Sequence, residues 1–378
     1  MLAELHWSRS DFTLPRTVGQ FVMALVGFFI GAYVDRFGPR RFQFVGLLVL
    51  GGAIYLCSTV QTVTGWVLIN GIMLTSGSAL IGNLVVNVTL SKWFVEQRGS
   101  AVAWAAMGVS FAGLTITPGI TWAIDVVGWR AAWQWLALIA VLVMVPVAAV
   151  MRRAPEDFGL HPDGKSDGQV RAGQAQRAAD DFSNSMSRAR AIRTRSFYLL
   201  ATSFGIFSAG IGVMLLQTIP YLTDAGITRV TAAFMITVAS IPAMLTKPVW
   251  GYVIDRMEAP RRLAALSASI TGIATALIAW GQMEASPGLL YAGFITLGMG
   301  WGGMLPLQEV IWAGYFGRRY LGEVRSAALP IALTVGASGP WLSSWYYDQV
   351  GNYDGAFIAV AGLNLLAAAM IFATRKPE

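Results

Sequence analysis

The sequence predicts an all-α membrane protein made of two pseudo-symmetric helix bundles, and three observations predict it. Long apolar runs follow one another with polar turns between them, so that 55% of the 378 residues are hydrophobic and only 12% are charged, about half the charged share of an average soluble domain. The segment Gly31-Ala-Tyr-Val-Asp35-Arg36-Phe-Gly38-Pro39-Arg40-Arg41 returns 220 residues later as Gly251-Tyr-Val-Ile-Asp255-Arg256-Met-Glu-Ala-Pro260-Arg261-Arg262. Lys and Arg gather in alternate loops, the asymmetry that orients membrane helices.

Runs able to cross a hydrocarbon layer of ~30 Å, which takes ~20 residues, fall near 14–34, 42–60, 64–90, 100–124 and 131–151, and then near 196–223, 230–254, 263–282, 288–316, 326–347 and 356–374. That is eleven spans. Helices are the natural reading, because lipid-exposed backbone must satisfy its own hydrogen bonds and the runs are too long and continuous for tilted barrel strands. The first bundle covers 1–151 and the second 196–378. Between them, 152–195 is rich in Arg, Ala, Gln, Ser and Asp with few large apolar residues, and reads as a linker.

The repeat also implies a missing helix. Two runs precede the second Asp-Arg loop and only one precedes the first, while Arg9 aligns with Arg229 at the same offset of 220. A complete chain is therefore expected to have twelve spans and to begin some tens of residues upstream of Met1; a misassigned start or a fragment explains this more simply than a natural eleven-span protein. An offset of 222 likewise pairs Pro118 with Pro340 and Pro155 with Pro377. Paired bundles of this kind are how many secondary transporters are built.

The loops at 35–41, 91–100, 151–195, 255–262 and 317–325, with the tail after 374, hold 22 of the 27 Lys and Arg residues. Both Asp-Arg loops, the linker and the C-terminus are thus expected in the cytoplasm. This asymmetry accounts for the net charge of +7. A nucleic-acid partner is not expected, since the basic residues of the linker are scattered among neutral and acidic ones. Cys57 is the only cysteine, and His6 and His161 both lie outside the apolar runs, which leaves no disulfide framework, metal cluster or intramembrane histidine relay. No phosphate loop, nucleophile–histidine pair or metal-ligand spacing is present. The expectation is therefore a protein with no cofactor or metal that is not an enzyme, and that draws energy from an ion or substrate gradient.

The repeated loop has a physical reading of its own. Gly31 lets another helix approach closely, and Asp35 ends its helix where it can accept hydrogen bonds from a neighbouring helix N-terminus. Arg36, Arg40 and Arg41 can meet anionic headgroups or pair with carboxylates. With Asp255 and Arg256 in the second copy, these residues form a candidate cytoplasmic gate; the plainer alternative is topogenic charge alone.

A charge within a span costs about 3 kcal/mol or more on insertion scales and is a functional candidate by default. Lys247 is the one basic residue that qualifies, eight residues before Asp255, or about 12 Å of helix rise. Its alternative role is snorkelling toward headgroups. Glu309 is the acidic counterpart and the candidate for proton coupling, with a latch to an arginine as the structural alternative. Asn83 and Asn87, spaced i and i+4 on one helix face, join Gln217, Trp301 and Gln308 as candidate substrate contacts. Trp312 shares the Gly-rich run of Trp301, and Asp125 reads as a cap or interfacial charge.

At family level the chain resembles the major facilitator superfamily over nearly its whole length. Gly31 through Arg41 resembles that superfamily's loop motif, with Pro39 standing where a basic or small residue is more usual. Lys92-Trp93-Phe94, Arg98-Gly99-Ser100-Ala101, Gly108 and Gly113 resemble the fifth-helix signature of monocarboxylate transporters and bacterial oxalate:formate antiporter-like proteins. Trp7-Ser8-Arg9, Gly128-Trp129-Arg130-Ala131-Ala132, the stretch from Pro155 to Gly164, and Tyr315-Phe316-Gly317-Arg318-Arg319 match the bacterial group further.

The resemblance implies the major facilitator fold. It also implies that Lys247 stands at a position where the family carries a carboxylate-binding arginine ahead of a proline, so that a point charge replaces a bidentate fork. An acidic family residue one turn earlier is here Ala243, which leaves the family's mode of proton coupling open.

The function expected is secondary active transport of small organic anions, mono- or dicarboxylates, by alternating access. Proton symport and anion exchange both remain open. The expected setting is the lipid bilayer of a bacterial inner membrane, as a monomer. Efflux of drugs or hydrophobic metabolites on the same fold is the first alternative; a non-transporting membrane sensor or scaffold is the second.

Overall fold

Residues 2–7, 9–173, 176–257 and 259–377 are described by a computed structural model. Met1, Ser8 of the Trp7-Ser8-Arg9 stretch and Glu258 of the second Asp-Arg loop lie outside them, as do the side chains of Arg9 and Pro118 and the surroundings of Gly113.

The long helices are α1 Arg9–Phe37, α2 Pro39–Cys57, α3 Val63–Trp93, α4 Arg98–Val150, α5 Arg195–Asp224, α6 Arg229–Arg256, α7 Pro260–Met283, α8 Pro287–Phe316, α9 Leu321–Val350 and α10 Asp354–Phe372. Their starts follow local chemistry. Pro39 and Pro260 open α2 and α7, where a missing N–H costs nothing and φ is already helical. Thr194 and Thr228 cap α5 and α6 by accepting from Phe197 N and Thr231 N, each at 3.3 Å. Gly38 turns the chain between α1 and α2 at φ 78°, a conformation open to glycine at no steric cost.

Among the described residues, nine helices are long and apolar enough to cross a membrane. They are α1 from Leu14, α2, α3, the Trp122–Val150 limb of α4, α5, α6, α7, α8 and α10. The runs at 100–124 and 326–347 are helical too, one opening α4 and the other within α9.

Two details depart from the runs as read. The fourth and fifth runs are two helices, as read, but they are joined at Gly128 alone, whose φ of 80° and ψ of 162° interrupt α4 with a single residue in place of a loop. The run at 64–90 is not one regular α-helix. It carries a π-helical stretch over Val67–Leu74 and breaks at Gly82, whose backbone is extended (ψ −172°). Close packing accompanies the π stretch: a Cβ on Gly71 would lie 3.2 Å from the Pro15 backbone of α1.

The contacts divide the chain into two compact units. Residues 1–95, 111–188 and 317–329 form the first, and 96–110, 189–316 and 330–378 the second. The first unit has a small apolar core of Cys57, Val60 and Trp66 with Trp7 and Trp133 against it. The second is centred on Val213, Leu222, Met235, Ile278, Phe294 and Phe357. Its helices also meet through small residues, the usual means by which helices pack in lipid. A Cβ on Gly298 of α8 would fall on the Ala239 carbonyl oxygen of α6, and one on Gly302 would fall on Thr246 Oγ1.

The linker folds locally. Short 3-10 turns at Pro155–Phe158 and Pro162–Gly164 precede helices at Asp167–Arg171, Gln176–Ser183 and Arg188–Ala191, the first of them closed by a capping box between Ser166 and Gln169.

Candidate functional site

Two aspartates carry the repeated loop, one in each unit. Asp35 sits near the end of α1 with its side chain only 8% exposed. Its Oδ1 accepts from Lys92 Nζ at 2.5 Å, and its Oδ2 accepts from the backbone N–H of Glu323 at 2.8 Å. Glu323 lies in the first turn of α9, where backbone donors have no intrahelical partner and the helix dipole favours an anion. Gly31, one turn before Asp35, is buried against Gly322; a Cβ there would coincide with the Gly322 carbonyl oxygen.

The second unit repeats the construction. Asp255 takes Gly99 N–H on Oδ1 at 2.7 Å and Ser100 N–H on Oδ2 at 2.9 Å, at the first turn of α4. Gly251 packs on Gly99 and Ala103. The arginines of the loops turn outward: Arg36, Arg40, Arg41 and Arg256 are exposed, with Arg36 over the Phe37 ring, Arg40 over Phe44 and Arg256 over Tyr252.

Linker and loop residues close around the first aspartate. Arg318, almost fully buried, pairs with Glu156 at 2.5 Å, lies 3.9 Å from Asp181, and donates to the Lys92 carbonyl at 3.2 Å. Asp163 accepts from Val95 N–H at 3.1 Å, and Trp93 Nε1 donates to the Arg152 carbonyl at 3.1 Å. Arg188 reaches the Glu323 carbonyl at 3.3 Å and Ser326 Oγ at 3.4 Å. Arg153 binds both oxygens of Asp157 and holds that carboxyl below the usual carboxylate range. A cavity of about 540 Å3 opens beside Asp35, Arg36, Lys92, Arg153 and Arg319.

The intramembrane cation lies in the second unit. Lys247 is 5% exposed and donates to the Ala106 carbonyl at 3.0 Å and to Ser110 Oγ at 2.6 Å. Both acceptors are neutral. Among the described residues, no carboxylate forms an ion pair with Lys247.

The other candidates are dispersed. Glu309 is buried on α8, while Gln308 beside it is half-buried. Gln217 donates to Ser344 Oγ at 2.9 Å and to the Pro340 carbonyl at 3.4 Å, tying α5 to α9. Trp301 packs on the apolar core of its unit with Nε1 buried and without a hydrogen-bond partner among the described residues. Trp312 is fully buried, stacked on Phe316 and edge-on to Phe197. In the first unit Asn87 is buried and Asn83 exposed, at the start of the segment that resumes after Gly82.

Sequence reasoning did not single out Lys92 as the partner of Asp35, Arg318 as the partner of Glu156, or Ser110 as the partner of Lys247. For Lys92 a signal existed, since it is a basic residue directly after the apolar run at 64–90, in the last turn of α3. Ser110 offers no such mark.

The family model described as Major Facilitator Superfamily matches residues 1–338 and, in a second match, 202–378. Monocarboxylate transporter 13 of Bos taurus is 26% identical over 351 residues, which cover 91% of this chain and 75% of that protein. The Oxalate:formate antiporter of Oxalobacter formigenes is 25% identical over 296 residues, covering 77% of this chain and 65% of the relative. Human Monocarboxylate transporter 11 is 24% identical over 289 residues, covering 75% and 58%. The chain thus spans less than two thirds of the latter two relatives. Among solved structures, the E. coli fucose:proton symporter FucP superposes with a TM-score of 0.70 at 14% identity, over 98% of this chain and 91% of that one. The human organic anion transporter MFSD10 gives 0.67 at 14%, over 96% and 82%.

Proposed function

This chain belongs to the Major Facilitator Superfamily, and from that premise we propose that it is a secondary active transporter of small organic anions, mono- or dicarboxylates, working by alternating access. Proteins of this superfamily are transporters and not enzymes, and the chain is an integral membrane protein. The names of its relatives support the anion class: monocarboxylate transporters and an oxalate:formate antiporter.

One observation carries the reading, namely Lys247 buried with, among the described residues, only neutral hydrogen-bond partners. An ammonium held in a low-dielectric interior without a counter-ion is costly. An anionic substrate that supplies a counter-charge offsets that cost, and the site is thereby selective for anions. Glu309, buried on α8, is the proposed proton carrier if transport is symport; exchange would need no such group.

Bundles 1–151 and 196–378, joined by 152–195, are the proposed moving parts. The two aspartate latches bias the equilibrium between inward- and outward-facing states. The concentration of Lys and Arg in alternate loops supports a cytoplasmic C-terminus and, for a bacterial protein, the inner membrane.

The test is counterflow of a panel of mono- and dicarboxylates in proteoliposomes. Wild-type protein should show saturable counterflow of at least one of them, Lys247→Ala should abolish it, and Lys247→Arg should retain part of it. Undiminished transport by a well-folded Ala variant would move the site elsewhere and remove the main support for an organic anion.

A further inference from the structure

A lysine is a poor single receptor for a carboxylate. Its ammonium is a compact point charge that reaches one oxygen well, whereas a guanidinium meets both oxygens with two parallel N–H donors. The surroundings of Lys247 supply what the side chain lacks. Resting on the assignment of Lys247 as the anion site, we propose that Ser110 and Lys247 act as one two-donor receptor for a single substrate carboxylate, with the Ser110 hydroxyl donating to one oxygen and the Lys247 ammonium to the other.

An ammonium has three donors and no acceptor. One N–H of Lys247 goes to the Ala106 carbonyl at 3.0 Å and one to Ser110 Oγ at 2.6 Å, which leaves the third uncommitted among the described residues. A serine hydroxyl carries one proton and two lone pairs. Because Ser110 Oγ accepts from the ammonium, its own proton points away from Nζ, and no described acceptor receives it. Two uncommitted donors therefore stand on atoms 2.6 Å apart, a separation suited to the two oxygens of one carboxylate. The charged donor also polarises the hydroxyl, which makes its proton a better donor than that of an isolated serine.

Backbone geometry fixes the pair. Ala106 and Ser110 are spaced i and i+4 on one face of α4, so the carbonyl of one and the hydroxyl of the other hold Nζ from adjacent turns. Lys247 is buried while Ser110 is half-exposed, so a ligand reaches the pair from the serine side. Ser110 is thereby a specificity-determining residue: a planar carboxylate satisfies both donors, and a neutral solute of similar size leaves the ammonium uncompensated.

A cycle of variants separates this role from simple anchoring of the lysine. A hydrogen bond to a charged partner changes affinity by about 10- to 100-fold. Ser110→Ala in the Lys247 background should therefore raise the half-saturation concentration for carboxylate counterflow by roughly that factor, with maximal rate and thermal stability nearly unchanged. Ser110→Thr, which keeps the hydroxyl, should stay within about 2-fold of wild type, well inside the effect of one such bond.

In a Lys247→Arg background the guanidinium brings both donors itself, so adding Ser110→Ala should change the half-saturation by about 2-fold or less. The proposal is overturned if Ser110→Ala is neutral in the lysine background, or if it costs the same in both backgrounds. If Lys247→Arg proves silent, the contrast between Ser110→Thr and Ser110→Ala decides alone. Loss of transport in Lys247→Ala with a neutral Ser110→Ala rejects the fork and leaves the anion site standing, whereas full transport in Lys247→Ala rejects both.

Discussion

Asp35 and Asp255 occupy equivalent positions in two copies of one loop, and they are stabilised differently. Among the described residues, Asp255 is held by the helix terminus alone, one N–H on each oxygen. Asp35 divides its oxygens between a helix terminus and the Lys92 ammonium. At the offset of 222 that pairs Pro118 with Pro340, the counterpart of Lys92 is Gly314. The shared element is therefore an aspartate seated on the first turn of a helix, with a glycine one turn earlier that permits the approach. Among the described residues the ion pair is peculiar to the first copy, where the linker and Arg318 also converge.

That contrast can be broken most forcefully at Lys92. Lys92→Met leaves Asp35 buried without its cation and should cost about 3–5 kcal/mol of stability, read as a large fall in the melting temperature of purified protein. Adding Asp35→Asn should recover much of the loss, because a neutral amide needs no counter-ion. A melting temperature unmoved by Lys92→Met would show the pair to be incidental.

Gly31→Leu comes next. A side chain there meets the Gly322 backbone directly, and overpacking of this kind costs about 1–3 kcal/mol. Gly251→Leu should be milder, since its Cβ would stand 2.8 to 2.9 Å from Ala103 Cβ, the Gly99 carbonyl oxygen and Ser100 Cα, a tight approach that still falls short of the direct overlap at Gly31. Both variants should lower the maximal transport rate more than they alter half-saturation, as should Asp35→Asn. Normal turnover with weakened binding in Gly31→Leu would contradict a gating role.

Asp255→Ala removes only a helix cap, worth about 1 kcal/mol, and should leave the protein more stable than Lys92→Met does.

The smallest effect is expected outside the membrane, at Arg153 and Asp157. Their pair is largely solvent-exposed and worth at most ~1 kcal/mol. Arg153 holds the Asp157 carboxyl below its ordinary value of 3.8. The stabilisation is therefore present above that value and is lost as pH falls through the lowered one. Melting curves of wild type and Arg153→Gln should converge on acidification; a gap that persists in acid would assign Arg153 another role.

The repeat, the spans and the aspartate positions were legible in the sequence because they are written in local order: a period, a run length, a motif. Their partners were not. The N–H that Asp35 accepts belongs to Glu323, 288 residues away, and no local pattern announces it. Glu156 and Arg318 were visible only as parts of two stretches with family resemblance, yet they meet at 2.5 Å. The linker, read as scattered charge, makes specific contacts through Asp163, Glu156 and Arg188.

Lys247 stood out because a cation in an apolar run is expensive, whereas Ser110, a small neutral residue in the same kind of run, costs little and leaves no trace. The break at Gly82 and the π-helical turn were hidden for a related reason, since glycine and small polar residues are common throughout membrane helices.

Equilibrium binding to the purified protein tests the anion site without requiring turnover. By calorimetry, wild-type protein should bind at least one mono- or dicarboxylate saturably. Lys247→Gln should weaken that binding about 100-fold or more, the loss expected when one member of a buried charge pair is removed, while Asp255→Ala, which alters only a latch, binds normally. Unchanged carboxylate affinity in a folded Lys247→Gln protein would contradict the assignment of Lys247 as the substrate's counter-charge.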